Sequence, residues 1–134
     1  MELQIEESLF AAFVVARKWD RYRALIGTAK GRDKLRQSLA HFDDWDSRFI
    51  HRVDGDPQAV YEALSKRGAL RECYVVSEDR RFDASRMDLL EALKATIGNG
   101  MGTVISCVPG RLAFYEGEGP RDRFILDRPK AADK

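Results

Sequence analysis

The sequence is short of several features that would narrow its function quickly. It has only two cysteines and two histidines in 134 residues, too few for a disulfide framework or a zinc site of the usual ligand spacing. No apolar run approaches the ~20 residues needed to cross a bilayer; the longest spans Leu9 to Ala16. The opening ten residues carry Glu2, Glu6 and Glu7 and no basic residue, so the positive start of a secretion signal is missing. These absences predict a soluble, cytoplasmic protein with no membrane partner. A net charge of +1 also removes any general pull toward nucleic acid.

A hydrophobic fraction of 44% with 10% aromatics is that of a packed globule, and 34% charged residues implies a heavily charged surface. At this length one domain spanning residues 1–134 is the expectation. Residues 1–68 read as mainly helical, 69–128 as a sheet with one helix, and 129–134 as a polar tail that frays.

Ala12, Val15, Trp19, Tyr22 and Ile26 recur at spacings of three and four, which predicts one long helix from about Glu6 to Ile26, ended by Gly27. Arg17 and Arg21 lie opposite that stripe and should be solvated. Phe10, Phe13 and Val14 occupy the same side one turn earlier, so the first half of the helix is apolar nearly all round. It is either buried on both sides or meets a second subunit as a homo-oligomer contact. Leu35, Leu39 and Phe42 predict a second helix over about 30–42. Asp56-Pro57 and Gly68 bracket a third with an N-cap, a first-turn proline and a C-cap glycine.

The period then changes. Glu72 to Ser77 reads as an inner strand, and Ser85 to Asp88 offers capping-box starts for a helix carrying Leu90, Leu93 and Ile97, closed by Gly98. Thr103 to Val108 and Leu112 to Glu116 are further strands, joined by a type II turn at Pro109-Gly110, and Phe124 to Leu126 is a fourth. Strand, helix, strand implies a parallel pair. The expectation is therefore an α+β fold, with about three N-terminal helices packed on a small mixed sheet of β-α-β-β-β order.

No segment carries a signature that names a reaction, a cofactor or a resident metal, but two groups of residues are candidates for function. The carboxyl ends of parallel strands are where open α/β sheets bind ligands. That rule gathers Ser77, Glu78, Asp79 and Arg81 with Cys107 and Arg111, a thiol, two carboxylates and two guanidinium groups suited to a small enzyme or ligand-binding site. The same geometry sets Cys73 and Cys107 several residues apart along their strands, which disfavours a disulfide.

The second group is electrostatic. Arg17 to Arg36 holds eight basic residues against Asp20 and Asp33, and Gln37 to Glu62 holds six acidic residues against Arg48 and Arg52. A basic face through Arg17, Arg21, Arg32 and Arg36 suits an anionic partner, nucleic acid or acidic protein. A non-catalytic binding module using that face is the leading reading, with the small enzyme as its alternative. His41, Asp43, Asp44, Asp46 and His51 have metal-ligand chemistry, but their spacing fits neither a calcium loop nor a zinc helix. Gly98 to Gly102 closes a helix rather than opening one, so it reads as a flexible turn and not a phosphate loop.

Overall fold

A computed structural model describes residues 1–119 and 121–129; residues 130–134, most of the expected frayed tail, lie outside them. Among the described residues five α-helices run over Leu3–Phe13 (α1), Trp19–Ile26 (α2), Ala29–Gln37 (α3), Pro57–Lys66 (α4) and Leu89–Thr96 (α5). Six strands span Ile50–Arg52 (β1), Glu72–Ser77 (β2), Ser85–Asp88 (β3), Thr103–Val108 (β4), Leu112–Glu116 (β5) and Arg123–Asp127 (β6). Short 3-10 turns precede α2 and follow α3.

The α+β class stands, but the sheet is wholly antiparallel, in the order β1-β6-β5-β4-β2-β3. The mixed β-α-β-β-β expectation fails because β3 was read as the start of a helix. That strand reverses the chain after β2, and only then does α5, capped by Asp88 onto the Glu91 amide, cross over to β4. The crossover survives, but it joins β3 to β4 with β2 lying between them.

Helices cover both faces of the sheet. Tyr74, Val76, Val104, Ala113, Tyr115 and Leu126 meet α1, α2 and α3 in one core, while Cys73, Val75, Ile105, Phe114 and Ile125 meet α4 and α5 in another. Alternate residues of one strand thus point into different cores. This is why β2, β4 and β5 read as unbroken apolar runs.

The long first helix is broken. Val14 is extended and bridges to Trp45, the Asp46 amide donates to the Phe13 carbonyl at 2.7 Å, and the Val15 amide donates to Asp44 at 2.9 Å. Two adjacent β-branched residues favour that break. Phe10, Phe13 and Val14 are 0%, 1% and 3% exposed within the chain's own core, so their apolar surface is consumed inside the molecule, the first of the two alternatives. The second helix stops at Gln37, and the third has its expected caps: Asp56 accepts from the Ala59 amide at 2.9 Å, and Gly68 takes φ +101. The segment expected to be wholly helical also contains β1. Among the described residues no helix is long and apolar enough to cross a membrane.

Candidate functional site

The antiparallel order separates the first group of candidates. Ser77 pairs with Thr103 at one end of β2 and β4, whereas Cys107 lies near the opposite end of β4, on the order of 13 Å along the strand, and Arg111 in the turn beyond it. At the first end each side chain is already engaged. The Ser77 hydroxyl is 2.8 Å from that of Thr103, and the Glu78 carboxylate accepts from the Gly102 amide at 2.7 Å. Asp79 is held by Arg81 at 2.7 Å, and that guanidinium, hydrogen-bonded to it, keeps the carboxyl below its usual range. At the other end Arg111 donates to the Arg67 carbonyl at 3.3 Å. Cys107 is fully buried, and burial pushes its thiol far above the usual value.

The basic group divides between inside and outside. Arg32 binds the buried Glu6 at 2.8 Å and Asp83 at 2.7 Å. Arg36, 5% exposed, donates to the Glu78 carbonyl at 2.7 Å and to Asp33 at 2.5 Å. Tyr74 completes the network through its hydroxyl on Glu6. These two arginines tie α1, α3 and the β2–β3 loop together. A cleft of about 530 Å³ lies against them, yet the Arg32 and Arg36 guanidinium groups lining it are already paired with carboxylates.

Arg17 and Arg21 are exposed as expected and have no ion-pair partner among the described residues. On the opposite face of α3 from Arg32 and Arg36, a groove of about 430 Å³ runs between α2 and α3. Tyr22, Leu25, Leu35 and Phe42 form its apolar floor, and Lys18, Arg21, Lys34 and His41 stand around its rim. The Tyr22 and Phe42 rings pack at 5.3 Å between centroids, and the Arg21 guanidinium sits 5.8 Å from the Tyr22 ring centre. Asp44 closes one wall, taking Lys18 at 2.7 Å and the Tyr22 hydroxyl. Partial burial alone would raise its carboxyl, but the bonds from Lys18 and Tyr22 outweigh it and hold the group below its usual range. Burial, then the bond to Asp44, pushes the Tyr22 phenol upward.

Lys34 is a groove cation that lies outside the four arginines expected from the sequence. Its signal was available: Lys30 and Lys34 are like charges at i and i+4, an arrangement that weakens an isolated helix. Both are exposed, and neither has an ion-pair partner among the described residues. Among the described residues, Lys18 alone of the basic block pairs with the acidic segment that follows it. In that segment Asp46 is taken by Arg48 at 2.7 Å, His41 lies 2.7 Å from Glu118, and His51 is exposed on edge strand β1. Among the described residues no three histidine, cysteine or carboxylate side chains gather in a metal-binding arrangement. The glycine run turns from α5 into β4, and its amides at Gly98 and Gly102 are taken by the chain's own Glu116 and Glu78.

No protein-family model matches the chain, and neither a curated protein nor a solved structure matches it significantly.

Proposed function

We propose that this protein is a non-catalytic binding module that receives an acidic segment of a partner protein in the groove between α2 and α3. The supporting observation is an apolar floor rimmed by unpaired cations: Arg21 and Lys34 stand on the groove, with Arg17 and Lys30 exposed nearby. Elsewhere the arginines and lysines mostly face carboxylates of their own chain. An acidic peptide with an apolar anchor complements both features, the anchor on Tyr22 and Leu25 and the carboxylates on the rim. Nucleic acid fits less well, because it offers no aliphatic anchor for the apolar floor beside Leu25. The two free cysteines suit a cytoplasmic setting.

The test is an NMR titration with a short peptide of alternating aspartate and glutamate around one leucine, with duplex DNA in a parallel arm. Shifts confined to Arg21, Leu25, Lys34 and Ser38 are expected. In an Arg21→Glu, Lys34→Glu double variant of unchanged melting temperature, affinity should fall at least about tenfold. Shifts that persist in the double variant overturn the reading. A groove response to DNA alone would reassign the partner to nucleic acid.

A further inference from the structure

The antiparallel sheet reverses the expectation for the two cysteines. The Glu78 amide donates to the Gly102 carbonyl at 2.9 Å, making those two residues a hydrogen-bonded pair. Alternate pairs along the same ladder are therefore the closely spaced, non-hydrogen-bonded kind: Ser77 with Thr103 and Val75 with Ile105. The paired register runs to Tyr74 with Ser106, and one step further along it sets Cys73 opposite Cys107. The Ser77 and Thr103 hydroxyls, in the same class of pair, meet at 2.8 Å. In such pairs the Cα atoms are about 4.5 Å apart, inside the roughly 4.4–6.8 Å window that a disulfide spans.

Three further observations bring the thiols together. Both side chains join the core against α4 and α5. Cys107 is the extra residue of a bulge in the β4–β5 ladder, which leaves it without a β5 partner and re-aims its side chain. Both cysteines also line one cavity of about 190 Å³, which reaches the exposed Leu70 and Pro109 and so gives a small molecule a way in.

We propose that Cys73 and Cys107 form a dithiol site that closes to an intramolecular disulfide across β2 and β4 when it meets a small oxidant such as hydrogen peroxide. One thiolate attacks a peroxide oxygen, giving a sulfenic acid and releasing hydroxide. The second thiolate displaces hydroxide from that sulfur, forming the S–S bond. Together the two thiols lose two protons and two electrons, and the peroxide becomes two waters. Burial pushes the Cys73 thiol up to about 12 and the Cys107 thiol well above its usual range, so few thiolates exist at neutral pH and closure is slow. This inference is independent of the groove.

The experiment is intact-mass spectrometry of the reduced full chain after exposure to excess peroxide, quenched in denaturant without reductant. A loss of about 2 Da is expected, with a mapped peptide joining Cys73 to Cys107, reversal by dithiothreitol, and a rate rising about tenfold per pH unit between pH 7 and 9. The oxidised chain should melt at least about 5 °C higher, because the bond restricts the unfolded chain. Unchanged mass with both thiols still titratable, oxygen adducts without a crosslink, a disulfide-linked dimer, or an oxidised form that melts lower than the reduced one would each overturn the proposal.

Discussion

Glu6 has no access to solvent and Arg32 is nearly as enclosed, so each depends on the other for its charge to be tolerated inside the fold. Replacing Arg32 with alanine leaves the buried Glu6 without its cation and Asp83 with only Arg36, at 3.9 Å. Removing one partner of a buried pair typically costs about 3–5 kcal/mol, and we expect that loss in urea unfolding, whereas Arg17→Ala should stay within about 0.5 kcal/mol of the parent. Equal effects at the two positions would mean that the network does not hold α1 to α3. A charge count could not separate these arginines, since all belong to one basic block. The helical wheel held a hint, because Arg32 and Arg36 flank the Leu35 and Leu39 stripe and so lie toward the core.

Acid dependence also belongs to single residues. Asp44 is held low by Lys18 and Tyr22 against the opposing effect of its burial, and Asp79 is held low by Arg81. A carboxyl with a lowered folded-state pKa contributes stability that is complete above its unfolded value near 4 and is lost as pH falls through the folded value. Stability should therefore be flat above about pH 5 and decline below pH 4. In Asp44→Asn the decline should be shallower, as read by melting temperature across pH 2–6. An acid limb as steep as the parent's would show that Asp44 is not one of the titrating groups.

Among the elements, the turn from α5 into β4 makes the closest approach. A Cβ on Gly102 would lie 2.1 Å from the Ala40 amide nitrogen and 2.2 Å from the Leu39 carbonyl carbon, both backbone atoms that cannot swing aside. Gly102→Ala should cost about 3 kcal/mol or more, since the 3-10 turn after α3 must move off the sheet. Gly100→Ala meets nothing within 4 Å and bears only the strain of φ +76, about 1 kcal/mol. Chemical denaturation of the two variants separates them. Equal losses would mean that backbone conformation, not packing against Ala40, is what these glycines provide.

Elements were legible where burial is large or punctuation strict. The runs of β2, β4 and β5 and the Asp56-Pro57 start of α4 all stand as read. The edges were not, because Ser85-Arg86-Met87-Asp88 and Ile50-His51-Arg52 each turn little apolar surface inward and leave no period to detect. That omission carried the largest error. An unbroken apolar run reports that both faces of a strand are covered, which is common in parallel sheets, but it says nothing of direction. Without β3 the sequence implies a parallel return, and the expected ligand edge follows from that. The groove was only half legible: Arg21 and the charge imbalance are in the sequence, whereas the break at Val14, which turns the chain into α2 at a new angle, depends on the distant Asp44 to Asp46 segment.

Across the whole molecule, stability should follow the strand order. β4 and β5 lie in the middle of the sheet, paired on both sides and buried on both faces, while β1 and β3 are edges of three and four residues. Local opening is governed by how much burial and pairing is lost, so the edges should open without the centre. β1 also depends on the far end of the chain, since Ile50 pairs only with Leu126 of β6. In native-state hydrogen exchange, the slowest amides should therefore be those of Val104, Ile105, Phe114 and Tyr115, exchanging only on global unfolding. The amides of β1 should open at a free energy about 2–4 kcal/mol lower. Uniform protection from β1 to β3 would mean that the two helical layers clamp the sheet as a single unit and that the thin edges carry no independent motion. Graded protection would leave the center of the sheet as the fixed platform on which α2 and α3 hold their groove.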